Sequence, residues 1–234
     1  MRGCLFVLIA AAAIVSVAAW FGAPPLASAV VSVVLHNGGF EATTLETSVT
    51  ADPPPRILLG HADAVRIRAS GVAFRTFQAE TLDLTLTDVD LIGRSAGRIT
   101  GAIDGAAVNT ADGIPTTADV TVDGDASGAA SEIRIAGATV ERVVRATLAK
   151  QIRVEITRTE LAEPDVLRIV TPGATIEGRI VVDSRGAIAL STRLGETRIL
   201  GLDPSFPLRF TGVHVIGDDL RIDATLDAEA LLGG

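Results

Sequence analysis

The chain contains no tyrosine, one cysteine, one tryptophan and one lysine (Lys150), and aromatics make up only 3% of its 234 residues. Each shortage removes a class of explanation. The lone cysteine, Cys4, lies in an apolar N-terminal stretch, so the remainder can form neither an internal disulfide nor a thiolate metal site. A core so poor in aromatics must be built from Val, Ile, Leu and Ala, and about 200 residues are ample for one. The basic residues form no run and the formal net charge is −8. That balance argues against a protein that tracks nucleic-acid phosphates. The preference for Arg, Ala and Gly fits a GC-rich coding sequence better than it fits a binding chemistry.

Charge is also missing from Gly3 to Leu35. Within that stretch, Cys4 to Ala23 is apolar except for Ser16 and Gly22. As a helix it would span roughly 30 Å, the thickness of a bilayer's hydrocarbon core. Trp20 and Phe21 stand at its far end, where an interfacial aromatic belt would lie. Pro24-Pro25 then break or restart the helix. Ala27-Ser28-Ala29 offers a small-x-small cleavage site, as in a secretory signal. The run is longer than the usual signal core of about 7–15 residues, as in an uncleaved anchor. Both readings stay open. Cys4 precedes the apolar core, which is the wrong order for a lipoprotein signal. Arg2 is the only charge near the leading end and keeps it cytoplasmic, with the rest of the chain outside. The expected division is a signal peptide or membrane anchor over residues 1–29 and a single β-rich domain over 30–234. That domain lies in the cell envelope, on the extracytoplasmic side of the plasma membrane, anchored or secreted.

Val30–Leu35, apolar throughout, reads as a helix continuing from the leader. After Phe40 the pattern turns to period two. Val65, Ile67 and Ala69 alternate with Arg66 and Arg68, and Leu82, Leu84 and Leu86 alternate with Asp83 and Thr85. Val120/Val122, Ile152/Val154/Ile156, Ile176/Ile180/Val182, Ile188/Leu190 and Leu220/Ile222/Leu226 behave the same way. These are half-buried antiparallel strands with one dry and one charged face. Val89 and Leu91 fall out of phase with Leu86, which predicts a bulge near Thr87-Asp88. Turns are expected at Asp104-Gly105, Asp112-Gly113, Asp123-Gly124, Ser184-Arg185-Gly186 and Gly217-Asp218. Pro53-Pro54-Pro55 reads as a stiff connector.

One segment departs from period two. Val140, Val143, Val144 and Leu148 recur as a helical stripe, with Thr139 as N-cap and basic residues gathering toward the C-terminal turns. The expected fold is therefore α+β and mostly β: a long curved antiparallel sheet wrapped around one main helix at about 139–150, plus the N-terminal membrane helix or signal peptide.

Catalytic chemistry finds little support. His36, His61 and His214 stand in no ligand-like spacing, and there is no Gly-x-Ser-x-Gly, phosphate-cradling loop or dinucleotide fingerprint. An enzyme would need His61 or His214 beside a carboxylate in a cleft. Asp123-Gly-Asp125-Ala-Ser127-Gly128 copies half a calcium loop, but its twelfth position is Arg134, and a turn between strands explains the same residues. No metal or cofactor is expected. What remains is apolar surface. Phe74, Phe77, Phe206 and Phe210 occur in pairs near strand ends, where they either pack the core or line the mouth of a groove. A sheet around a helix without large aromatics leaves room for an acyl chain.

The run Arg56-Ile-Leu-Leu-Gly60-His-Ala-Asp-Ala-Val-Arg-Ile-Arg-Ala69, followed by Gly71-Val72 and Thr81-Leu-Asp-Leu-Thr-Leu-Thr87, resembles the LmeA-like bacterial phospholipid-binding family. That family's fold is similar to tubular lipid-binding domains. The resemblance covers roughly Ala29 to Leu232. It implies a non-catalytic envelope protein that holds phospholipid, or a lipoglycan-type lipid, between curved sheet and helix and serves cell-envelope maintenance. Phe74, Phe77, Val140, Val143, Val144, Leu148, Phe206 and Phe210 are the candidate lipid-binding residues, with membrane and lipid as partners and no nucleic acid. The alternative is a membrane-tethered scaffold with a solid β core.

Overall fold

In the computed structural model the described residues are 23–33, 35–37, 39–74, 77–93, 95–109, 114–125, 127–152, 155–193, 195–201 and 208–226. Helix α1 covers residues 23–33 and 35–37, so Val30–Val33 and Leu35 are helical as their continuity with the leader predicts. Seven strands follow: β1 (Phe40–Glu41), β2 (Thr44–Thr50), β3 (His61–Phe74), β4 (Phe77–Asp90), β5 (Arg98–Asn109), β6 (Pro115–Asp125) and β7 (Ala129–Ile135). The three prolines lead into a 3-10 turn, Pro54–Leu59, between β2 and β3. After helix α2 (Gly137–Ile152) come β8 (Arg158–Ala162), β9 (Val166–Val170), β10 (Thr175–Val182), β11 (Ile188–Thr192) and β12 (Gly195–Leu200). The chain then closes with β13 (Leu208–Ile216) and β14 (Asp219–Leu226).

The pairing is antiparallel throughout and makes two sheets rather than one. The larger has nine strands in the order β1-β3-β4-β5-β6-β7-β14-β13, with β2 also on β3; the smaller runs β12-β11-β10-β9-β8. Alternation marks strands at Ile176–Val182 and Ile188–Leu190, leaves β8, β9 and β12 unmarked, and carries no information on partners. Those strands pair among themselves and cover the side of α2 that the large sheet leaves bare. The main helix is thus sandwiched rather than merely wrapped. Its stripe (Val140, Val143, Val144, Leu148) shares one core with Ile133, Ile135, Leu220 and Ile222 of the large sheet and with Leu167, Ile169, Ile180, Ile188 and Leu190 of the small one.

Helix α1 makes a second core at the other end of the large sheet. Ala23, Ala27, Val31 and Leu35, spaced four residues apart, pack on Val49, Val65, Ile67 and Ala69. Its serines fix the contact. Ser28 Oγ accepts the Val49 N–H at 3.2 Å, Thr47 Oγ1 donates to Ser28 O at 2.9 Å, and Ser32 Oγ lies 2.8 Å from Thr47 Oγ1.

The expected bulge takes a different form. Register between β3 and β4 is constant across the site (Ala62↔Val89, Ala64↔Thr87), so no residue is inserted. Instead Asp88 adopts φ 52° and flips the pleat, which lets Val89 and Leu86 both face inward. Gly71, at φ 57°, does the same on β3 between Ala69 and Val72. A true register shift does occur at Asp104-Gly105, expected as a turn, where β5 slips against β6 between Ile103 and Ala106. Gly105, at φ 60°, donates its N–H to Asp119 Oδ1 at 3.0 Å. Asp123-Gly124 likewise lies within β6, whereas Ser184-Arg185-Gly186 and Gly217-Asp218 do turn the chain. Asp112-Gly113 lies outside the described residues. Two further expectations change around α2. Thr139 sits inside the helix, accepting from Arg142 at 3.1 Å, rather than capping it. Ile152 closes the helix rather than opening a strand, because it is also four residues past Leu148 and so satisfies both periods.

The outer faces carry ion pairs between neighbouring strands. Arg66 and Arg68 share Asp83, Arg98 meets Asp123, Arg134 reaches Asp119 and Asp219, and Arg221 meets Glu132. Exposed as most are, they are screened by water and each stabilises the fold only weakly.

Two consequences can be measured. Ile180→Ala should cost about 2–5 kcal/mol in denaturant unfolding, and Val144→Arg should leave no cooperative transition, because it buries an unpaired charge where exposure is 0%. Asp119 gives a pH signature. The Gly105 N–H, then the Arg134 guanidinium, hold its carboxyl below the ordinary 3.8. Its contribution is full above that value and is lost as pH falls through the lower folded value. Asp119→Asn should therefore lower the melting temperature near pH 7 and flatten the acid limb of stability against pH, so that variant and wild type converge as pH falls.

Candidate functional site

Register places the inward residues of the large sheet in continuous rows. One runs Ile67–Leu84–Gly101–Val122–Ser131–Ala224, and the next Ala69–Leu82–Ile103–Val120–Ile133–Ile222. Both rows are buried at their ends and half-buried between, at Leu84 and Gly101 in the first and at Ile103 and Val120 in the second, while Val122 and Leu82 are buried. The β3 residues are buried under α1, and Ile133, Ile222 and Ala224 are buried in the α2 core. Between them Leu84 and Leu86 on β4, Gly101 and Ile103 on β5, and Ala118 and Val120 on β6 are only half-buried. These side chains join clusters rather than centre them. Leu86 packs against both the α1 core and the small cluster of Ile99, Val122, Ala129 and Leu226. Val120 packs against that cluster and the α2 core. The result is an apolar seam, left where neither helix fully covers the dry face.

At Gly101 the chain comes too close to β4 for any side chain. A Cβ there would come within 2.1 Å of Asp83 O and 2.8 Å of Leu84 Cδ2, so Leu84 leans across the glycine. On the row of Leu84 and Gly101, Ser131 breaks the apolar pattern. It is 5% exposed and its hydroxyl has no partner, as is also true of the Thr147 hydroxyl on α2. A buried orphan hydroxyl costs about 1–3 kcal/mol, so a polar atom there needs an occupant or a reason.

The sequence-predicted residues fall into three groups. Val140, Val143, Val144, Leu148 and Phe210 meet in the α2 core and are buried. The space beside them, lined by Ile135, Val140, Val143, Ile188 and Leu220 among others, is about 10 Å³. Pockets that hold drug-sized ligands are about 300–1,000 Å³. Here these side chains fill the space rather than line a groove. Phe74 and Phe77 lie elsewhere, paired across the β3–β4 hairpin, with Phe74 half-buried. Phe206 lies outside the described residues. Of the seam residues the sequence marks only Leu84, Leu86 and Val120, as inward-facing strand positions; Gly101, Ile103 and Ala118 carry no such mark. The out-of-pattern serine on β7 was the one local signal that could have marked Ser131.

His214 Nδ1 is 3.6 Å from Asp223 Oδ2 with both side chains exposed, and His61 Nδ1 contacts Leu59 O at 3.1 Å. The half calcium loop is the β6–β7 hairpin. Asp123 pairs with Arg98 at 2.5 Å, and the Gly128 N–H closes the turn on Asp125 O. Among the described residues no group of three or more His, Cys, Asp or Glu could hold a metal ion. None of their helices is long and apolar enough to cross a membrane, and the leader up to Gly22 lies outside the described residues.

The profile of LmeA-like phospholipid-binding proteins matches residues 16–225, from the leader to the last strand. The chain belongs to that family. No curated protein and no solved structure matches it. Membership in the LmeA-like phospholipid-binding family is membership in a binding family rather than a catalytic one, and it covers both cores, both sheets and the seam between them.

Proposed function

We propose that this protein binds a phospholipid or lipoglycan-type lipid at the seam and shuttles or stores it on the extracytoplasmic side of the plasma membrane, in maintenance of the cell envelope. The observation that carries the reading is the half-buried strip Leu84–Leu86–Ile103–Val120 on the dry face of the large sheet, in a chain whose family is named for phospholipid. An acyl chain laid along it completes the burial of those side chains, and the Ser131 hydroxyl supplies a donor to an ester or headgroup oxygen. Val140, Val143, Val144, Leu148 and Phe210 support the seam from behind, as packing.

Burying about 16 methylenes is worth roughly 13 kcal/mol against water. The bilayer offers the tail the same environment, so tail burial sets capacity and not selectivity. Selectivity must come from polar groups at the seam. Most arginines facing solvent on the large sheet are already paired with carboxylates, which makes Ser131 the better candidate.

The rival reading is a non-catalytic, membrane-tethered scaffold, and the filled space around α2 favours it. Native mass spectrometry of the full chain in mild detergent, with lipid extraction, separates the two. The lipid reading expects about one phospholipid per chain. Leu84→Arg or Ile103→Arg should reduce it at least tenfold, and Thr121→Lys, on the outer face of β6, should leave it unchanged. Ser131→Ala should preserve the fold and weaken retention severalfold. A folded wild-type protein that carries no lipid and takes none from vesicles would establish the scaffold.

A further inference from the structure

Exposed large apolar side chains are not scattered over this molecule. Among the described residues seven stand out: Leu26, Val30 and Val33 on α1, Leu58 and Leu59 in the 3-10 turn, Ile92 in the β4–β5 loop, and Ile216 alone elsewhere. Leu58, Leu59 and Ile92 are 61%, 70% and 76% exposed, and they are neighbours. Gly60 follows the two leucines, a Cβ on it would meet Ile92 Cδ1 at 2.5 Å, and the Leu91 N–H donates to Gly60 O at 2.7 Å.

The direction of α1 sets what approaches this patch. Ser32 meets Thr47 and Ser28 meets Val49, so α1 runs antiparallel to β2, and its N-terminal end points toward Ala51 and the 3-10 turn. Ala23 and Ala27 share a core with Ile57, Ala62 and Val89 at that end. The uncharged segment Cys4–Gly22 is therefore joined to the molecule beside Leu58, Leu59 and Ile92. On α1 itself Leu26, Val30 and Val33 form an outward stripe at i, i+4, i+7, so the helix is apolar on both faces. The acids here are held by partners of their own. Asp90 accepts the N–H groups of Ile92 and Gly93, and Asp63 accepts the Asp52 N–H and pairs with Arg56.

We propose that this end of the molecule docks on the surface of a phospholipid bilayer, with Leu58, Leu59 and Ile92 entering the interface beside the point where the apolar leader joins α1. The leader stays attached. Removal of residues 1–29 would strip Ala23 and Ala27, 1% and 7% exposed, from the α1 core, and the family match itself begins at residue 16. The contact is apolar, so it needs no anionic lipid and resists salt. It deepens the lipid-carrier reading by giving the seam a fixed standing relative to the bilayer, yet it stands or falls separately.

The test uses the full chain with Cys4→Ser and single cysteines at Leu59→Cys, Ile92→Cys or Gln78→Cys. Gln78 is exposed at the opposite end of β4. Each variant is labelled with an environment-sensitive fluorophore and reconstituted in phosphatidylcholine vesicles with or without nitroxide-bearing lipids. Labels at 59 and 92 should be blue-shifted and quenched at least threefold more than the label at 78, equally at low and high salt. Equal, water-like emission at all three positions would overturn the proposal. A blue shift without nitroxide quenching would overturn it too, showing that another segment or protein covers the patch. Transfer of a fluorescent phospholipid between vesicles, read in parallel, keeps the two ideas apart. Quenching without lipid uptake sinks the carrier and leaves the docking, and uptake without quenching does the reverse.

Discussion

The constraint on which the structure depends is that a sheet of nine strands has more dry face than one helix can cover. Each inward row crosses six strands at about 4.8 Å per step, whereas a helix with its side chains is about 10–12 Å across. Two helices are therefore recruited, one at each end of the rows, and the small sheet closes the far side of α2. The seam is the remainder of that covering. It is apolar because inward positions are so with few exceptions such as Ser131, and it is half-buried because coverage runs out there.

The outer face answers a different demand. Its ion pairs join adjacent strands, β3 to β4, β5 to β6, β6 to β7 and β7 to β14, and sit in water. They add little stability singly. Their greater effect is on register, because a strand slipped by one residue would turn arginines inward and leucines outward. Charge here serves to fix the dry face, and the proposed lipid site lies on the opposite side.

Much of the fold was legible because period two is a local property. Arg66, Arg68 and Asp83 mark the wet side of β3 and β4 as clearly as Val65, Ile67 and Leu82 mark the dry one. The helical stripe Val140–Leu148 was legible for the same reason. Partnership was not. Nothing in residues 158–200 says that they pair with one another and cap α2, and Ile152 fits helix and strand equally. The site was less legible still. Leu84 and Ile103 differ from Ile67 and Ile133 only in what lies above them, which the distant helices decide. Leu58, Leu59 and Ile92 look like ordinary turn residues until Ile92 is seen to lie against Gly60, next in the chain after the two leucines.

The order in which the chain supplies its two cores has a consequence for how it folds. The α1 core is assembled from residues 23–103, one unbroken stretch near the start of the chain. The α2 core needs β7 and β14 together, and their contact between Glu132 and Arg221 closes a separation of 89 residues. As the chain emerges from synthesis, the first core can form early from neighbouring strands, whereas α2 must wait for the last strand before its dry stripe is fully covered. During that interval Val143, Val144 and Leu148 stay open to whatever else is nearby. The half of the molecule that ends as the tightest packed is thus the half most exposed to misassembly on the way.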